Sequence, residues 1–133
     1  MTDDEFLARL EDGSLPAEAF RHRDHLRAGY LYVHRLGFAG AIAAMSQALR
    51  GFAAAKGKPG LYHETITVAF IALIHRHYAE DGCGGDFAAF TSRHPDLFRP
   101  GLLERFYPPG QLTTTEAKAV FVLPDRERLL NTR

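Results

Sequence analysis

The chain has 133 residues, 46% of them apolar and 24% charged, with Lys+Arg and Asp+Glu both at 16. That composition fits a folded domain with its own core, residues 1–133, and excludes a chain disordered throughout. A charge balance of zero does not suit a general nucleic-acid binder. The single cysteine, Cys83, permits no internal disulfide and accords with a reducing compartment. The opening "MTDDEFLARL" is acidic and amphipathic, unlike a signal peptide. The longest apolar run, "VAFIALI" at 68–74, is far shorter than the roughly 20 residues a membrane helix needs. The expectation is a soluble, cytoplasmic protein.

Thr2 and Glu5 have capping-box spacing ahead of a helix carrying Phe6, Leu7 and Leu10. "EDGS" breaks the chain, and Pro16 suits the first turn of a short helix, "PAEAF". Asp24 is a plausible N-cap for a helix from about His25 to Leu36, which Gly37 stops. From 38 to 55, Ile42, Met45, Leu49 and Phe52 recur at helical spacing among small residues that allow close approach. "KGKPG" ends this piece. Residues 61–80 are apolar on every face over 68–74 and so predict the central helix, with Phe70 and Ile74 inward. "EDGCGGD" is a loop whose Asp86 caps "FAAFTSR". Four prolines then divide the chain into short pieces, with Thr113 and Glu116 at capping-box spacing before "AKAVFV". "VFVL" at 120–123 is the one β-like run, and it has no partner strand. The pattern predicts an all-α bundle with an irregular C-terminal third.

Two clusters hold the chemistry. "RHRDHLR" (21–27) carries His22, Asp24 and His25 among three arginines; "YHETIT" (62–67) carries His63 and Glu64. Each stands at the start of a helix, and one helix lies between them in sequence. In an up-down-up arrangement both starts fall at the same end of the bundle, so the clusters are expected to line one pocket that binds a metal ion or a small molecule, with catalysis as one option. His22, His25 and His63 then form a candidate ligand set for zinc or iron, with Glu64 as a fourth ligand or as a general base acting on bound water. "HETIT" lacks the second histidine of HExxH, and the chain has no ExxH pair of the ferritin-like kind. The same residues also read as a buried polar network satisfying helix ends. A second functional reading is a non-enzymatic anion-binding or regulatory module. Arg21, Arg23 and Arg27 would grip a carboxylate or phosphate near a helix N-terminus, with Asp24, Tyr62 and Thr67 beside it. Against this, arginines two residues apart on a helix point in different directions. A scaffold without any pocket is the third reading.

His75 and His77 near the end of the central helix suit the negative end of its dipole. Cys83 stands near Asp81 and Asp86, the wrong charge for a reactive thiol. There is no phosphate loop, GxSxG or dinucleotide fingerprint. "FRHRDHLRAGYLYV" followed by "KPGLYHETITVAF", and later "RHPDLF", "GLLERFYPPGQL" and "AKAVFVLPD", resembles a family of small bacterial all-helical proteins of unassigned function. The resemblance spans most of the chain. It implies that the two clusters belong to one site and brings no activity with it.

Overall fold

A computed structural model describes residues 1–125. It contains α1 (Asp3–Glu11), α2 (His22–Ala55), α3 (Glu64–Glu80), α4 (Phe87–Arg93) and α5 (Thr115–Ala119), joined by short 3₁₀ turns, with no strand among the described residues. The all-α expectation is met, with short, irregular pieces from 94 to 125 as expected of the C-terminal third; residues 126–133 lie outside the described residues. No helix among the described residues is long and apolar enough to cross a membrane.

α2 is two helical arms joined at a kink. Gly37, at φ 76° and ψ −176°, adopts a backbone conformation essentially reserved for glycine. In a straight helix, His25 and Leu49 would stand about 36 Å apart. Here they line the same cavity, as do Gly29 and Met45. The chain therefore folds back at Gly37 into two arms, 22–36 and 38–55, as the glycine stop predicts. α3 runs alongside the first arm in the same direction: His22 meets Phe70, Gly29 faces Ile71 and Ile74, and His34 accompanies Tyr78.

The central element is the first arm of α2, not residues 61–80. Every residue from 28 to 33 is buried. Phe6, Leu7 and Leu10 of α1, Ala41, Met45 and Ala48 of the second arm, Ile71 and Ile74 of α3, and Phe90 of α4 belong to the same core. Tyr30 is fully buried at its middle. Hydropathy understates this arm because three of its residues between 28 and 33 are Gly or Tyr, but tyrosine buries its ring and satisfies its hydroxyl at the edge; Tyr30 donates to the Gly82 carbonyl and Tyr32 to Glu11. α3 is one-sided instead. Ile71 and Ile74 are buried, Phe70 and Leu73 half-buried, and Ala72 exposed. Gly29 is what brings α3 so close, since a Cβ there would stand 2.7 Å from Ile74 Cδ1 and 3.2 Å from Ile71 Cδ1.

Two caps differ from expectation by a few residues. α2 starts at His22, with Asp24 inside its first turn accepting from the Arg21 backbone N–H at 2.9 Å. α5 is capped by Thr114, whose hydroxyl accepts from Ala117 N–H, rather than by Thr113. Thr2 and Asp86 cap as predicted. The β-like run at 120–123 joins no ladder among the described residues, although Val120 is extended. Its backbone bonds to side chains: buried Thr65 donates to the Val120 carbonyl and accepts from Val122 N–H, Tyr107 donates to the Val122 carbonyl, and Gln111 donates to that of Leu123.

Candidate functional site

Because the first arm and α3 run the same way, the segments carrying "RHRDHLR" and "YHETIT" lie at one end of the bundle. Between them is a cleft of about 590 Å³. His25, Phe20, Leu49 and Phe52 form one wall; His63, Ile66 and Thr67 form the other. A smaller chamber of about 120 Å³ shares His25, Leu49, Ile66 and Thr67 with it and reaches inward to Gly29, Met45 and Ile74. His25 and His63 thus line one cavity, and His22 lines the inner chamber beside Phe70.

The three histidines do not form a metal centre. His63 is the N-cap of α3: its Nδ1 accepts from Ile66 N–H at 3.1 Å. That nitrogen must present a lone pair, so Nε2 carries the hydrogen and donates to the Leu112 carbonyl at 2.7 Å. Both nitrogens are spent on the fold, which removes His63 as a ligand. His22 sits edge-on to Phe70 and Phe98, with ring centroids 5.6 and 6.2 Å away. Among the described residues, no group of three or more His, Cys, Asp or Glu side chains is placed to hold a metal ion. The zinc-or-iron expectation is corrected on these grounds.

Glu64 is not among the residues that line the cleft. It accepts a short hydrogen bond from the Tyr62 hydroxyl, and Arg50 lies 3.8 Å off. The same hydroxyl is 2.9 Å from Ser46 Oγ. This network ties the start of α3 to the second arm, so Glu64 is not positioned to activate a water among the histidines. Burial, and then the bond to Glu64, push the Tyr62 hydroxyl's pKa upward, which keeps it a donor. The ring of Tyr62 still lines the cleft. Thr67 also lines it, with its hydroxyl donating back to the His63 carbonyl at 2.8 Å.

The arginines do not converge either. Arg21 donates to the Glu18 carbonyl. Arg23 lies over the rings of Phe87 and Phe98. Arg27 pairs with Asp3 at 2.7 Å and covers Phe6. At positions 21, 23 and 27 they leave the helix in separate directions, and each finds structural work there. The anion grip expected of them, with Asp24 beside it, is therefore not assembled.

His25 also lines the cleft. Its ring stacks on Phe20 with centroids 4.0 Å apart and planes 20° apart. Enclosure by protein atoms, and then proximity to His22, lower its pKa from 6.5 to about 4, against a smaller opposing pull from the Phe20 backbone and Asp24. Part of the ring remains exposed to solvent, so water tempers this effect. The direction leaves His25 neutral at ordinary pH, with one nitrogen able to accept a hydrogen bond.

The motif reading did not include Lys56 and Lys58, which also line the cleft. Lys56 Nζ donates to the Gly13 carbonyl at 3.2 Å, and the ammonium lies 5.2 Å from the centre of the Phe52 ring. The available signal was "KGKPG", two lysines in a turn directly before "LYHETIT". Comparison of the chain with protein-family models, curated proteins and solved structures found no match.

Proposed function

We propose that this protein binds a small, largely apolar molecule in the cleft between the α2 hairpin and the start of α3. The observation that carries the reading is the cleft itself: about 590 Å³, adjoining a chamber that shares His25, Leu49, Ile66 and Thr67 with it and is lined by core residues. Volumes of about 300–1,000 Å³ with mostly apolar walls and a few polar groups are typical of ligand sites. Phe20, Leu49, Phe52 and Ile66 supply the apolar walls, and His25 supplies an acceptor for a hydroxyl, amide or acid proton.

The reading keeps the small-molecule alternative of the sequence and sets aside metal and a Glu64-driven reaction. A cytoplasmic setting accords with the unpaired Cys83. The test is binding of an apolar fluorescent probe to the wild type and to Leu49→Trp, which fills the junction of the two chambers. The wild type should bind the probe and the variant should bind it at least tenfold more weakly while remaining folded by dichroism. Equal binding by both would place the probe elsewhere and remove the proposal.

A further inference from the structure

The charge around the cleft narrows the ligand class, on the reading that the cleft is a binding site. Its lining contains two lysines and two histidines and no aspartate or glutamate. The nearest carboxylate in sequence, Glu64, does not itself line the cleft and is held by the hydroxyl of Tyr62, whose ring does. Glu18 is exposed on the turn beyond Ala17 and does not line the cleft. Lys56 is half-buried and has one donor committed to Gly13. Lys58 is exposed at the rim and has no carboxylate partner among the described residues.

A second observation has the same sign. α3 is 17 residues long and begins at Glu64, with His63, its N-cap, in the cleft wall. The positive end of its dipole therefore lies beside this wall, offset in part by the Glu64 carboxylate in the first turn. Deeper in, the lining is aliphatic and aromatic and ends at Met45, Ile71 and Ile74. One end of the cleft carries two ammonium groups with no carboxylate partner among the described residues; the other is mostly apolar.

We propose that the ligand is an amphipathic organic acid, with its anionic head at Lys58 and Lys56 and its hydrocarbon body directed toward His25 and the inner chamber. An ammonium beside an apolar wall offers a carboxylate a charge-assisted hydrogen bond, worth about tenfold or more in affinity. The hydrocarbon part contributes by leaving water and needs no directional partner.

Three probes with the same chain and different heads test this: decanoate, 1-decanol and decyltrimethylammonium, titrated calorimetrically at neutral pH and low salt. Decanoate should bind about tenfold more tightly than decanol, and the quaternary amine most weakly. In Lys58→Gln, and more so in Lys56→Gln/Lys58→Gln, the advantage of decanoate should vanish while decanol binds as before. Lys58 is exposed on a turn, so its exchange leaves the core untouched. Decanol binding the wild type as tightly as decanoate would overturn the acid and leave the apolar site standing. An unchanged advantage in the double variant would overturn the role of the lysines. If none of the three binds, both the acid and the cleft reading fall.

Discussion

Replacing His25 by phenylalanine isolates the one titration that the fold perturbs most inside the cleft. The aromatic ring is kept, and with it the stack on Phe20; the ring nitrogens are lost. In the folded chain the pKa of His25 is held at about 4, against 6.5 in an open chain. Between those values the unfolded chain binds a proton that the folded chain refuses. Stability therefore rises with pH across that window; on acidification the loss begins near the unfolded value and is complete below the folded one. From about pH 7.5 to about pH 5 the full shift would weaken the fold by about 2 kcal/mol. His25 is exposed on one side, and solvent screening brings the expected figure down to about 1 kcal/mol. The chain has seven histidines, so the informative quantity is the difference between wild type and variant. Urea denaturation of wild type and His25→Phe at both pH values should show the wild type losing about 1 kcal/mol more on acidification. Equal losses would mean that His25 is not enclosed in this way, and its role as a neutral acceptor in the cleft would fail with it.

Four substitutions probe the framework by the same denaturation assay. Gly37→Ala has open space around the new methyl group, yet it should cost about 1–3 kcal/mol through backbone strain alone; a neutral result would contradict the hairpin. Gly29→Ala would ordinarily gain about 1 kcal/mol in a helix, but contact with Ile71 and Ile74 should turn this into a loss of about 1–2 kcal/mol. Thr65→Val keeps the shape and leaves the Val120 carbonyl and Val122 N–H without their partner, at about 1–3 kcal/mol; an unchanged midpoint would show that this tether is not formed. Phe70→Ala should cost about 2 kcal/mol, below the usual range for a fully buried aromatic residue, because Phe70 is only half-buried at the edge of the inner chamber; a loss above about 4 kcal/mol would restore α3 to the centre of the core.

The elements of the fold were legible where local chemistry decides them. Thr2 and Asp86 cap the helices their spacing announced, and Gly37 turns the chain where the apolar pattern pauses. The identity of the central helix was not legible, because hydropathy ranks residues by transfer and not by position. The run 68–74 is the more apolar, but its Ala72 faces solvent. The truly buried stretch at 28–33 contains two tyrosines that score poorly and bury well. Boundaries failed by small amounts for a related reason: Asp24 was read as a cap because its type fits, while at the third position of the first turn it serves the Arg21 N–H equally well.

For the site, sequence could state that two helix starts share an end of the bundle, since that follows from counting antiparallel turns. It could not state what each histidine does there, because a histidine is assigned by its second nitrogen. His63 satisfies an N-terminal N–H with one nitrogen and a loop carbonyl fixed 49 positions away with the other; no spacing in the motif encodes Leu112. His25 differs because Phe20, one turn earlier and outside the helix, lies flat against it and leaves the remaining edge toward the cleft. The arginines were conspicuous by number and the lysines were not. Yet Arg27 meets Asp3 within the fold, whereas Lys58, exposed on the short turn before α3, has no carboxylate partner among the described residues. An ion pair already made inside the protein offers little to a ligand, because its charge is compensated before the ligand arrives. The cations available for recognition are those the fold leaves unpaired at the rim, which ties the expected ligand to the "KGKPG" turn more closely than to "RHRDHLR".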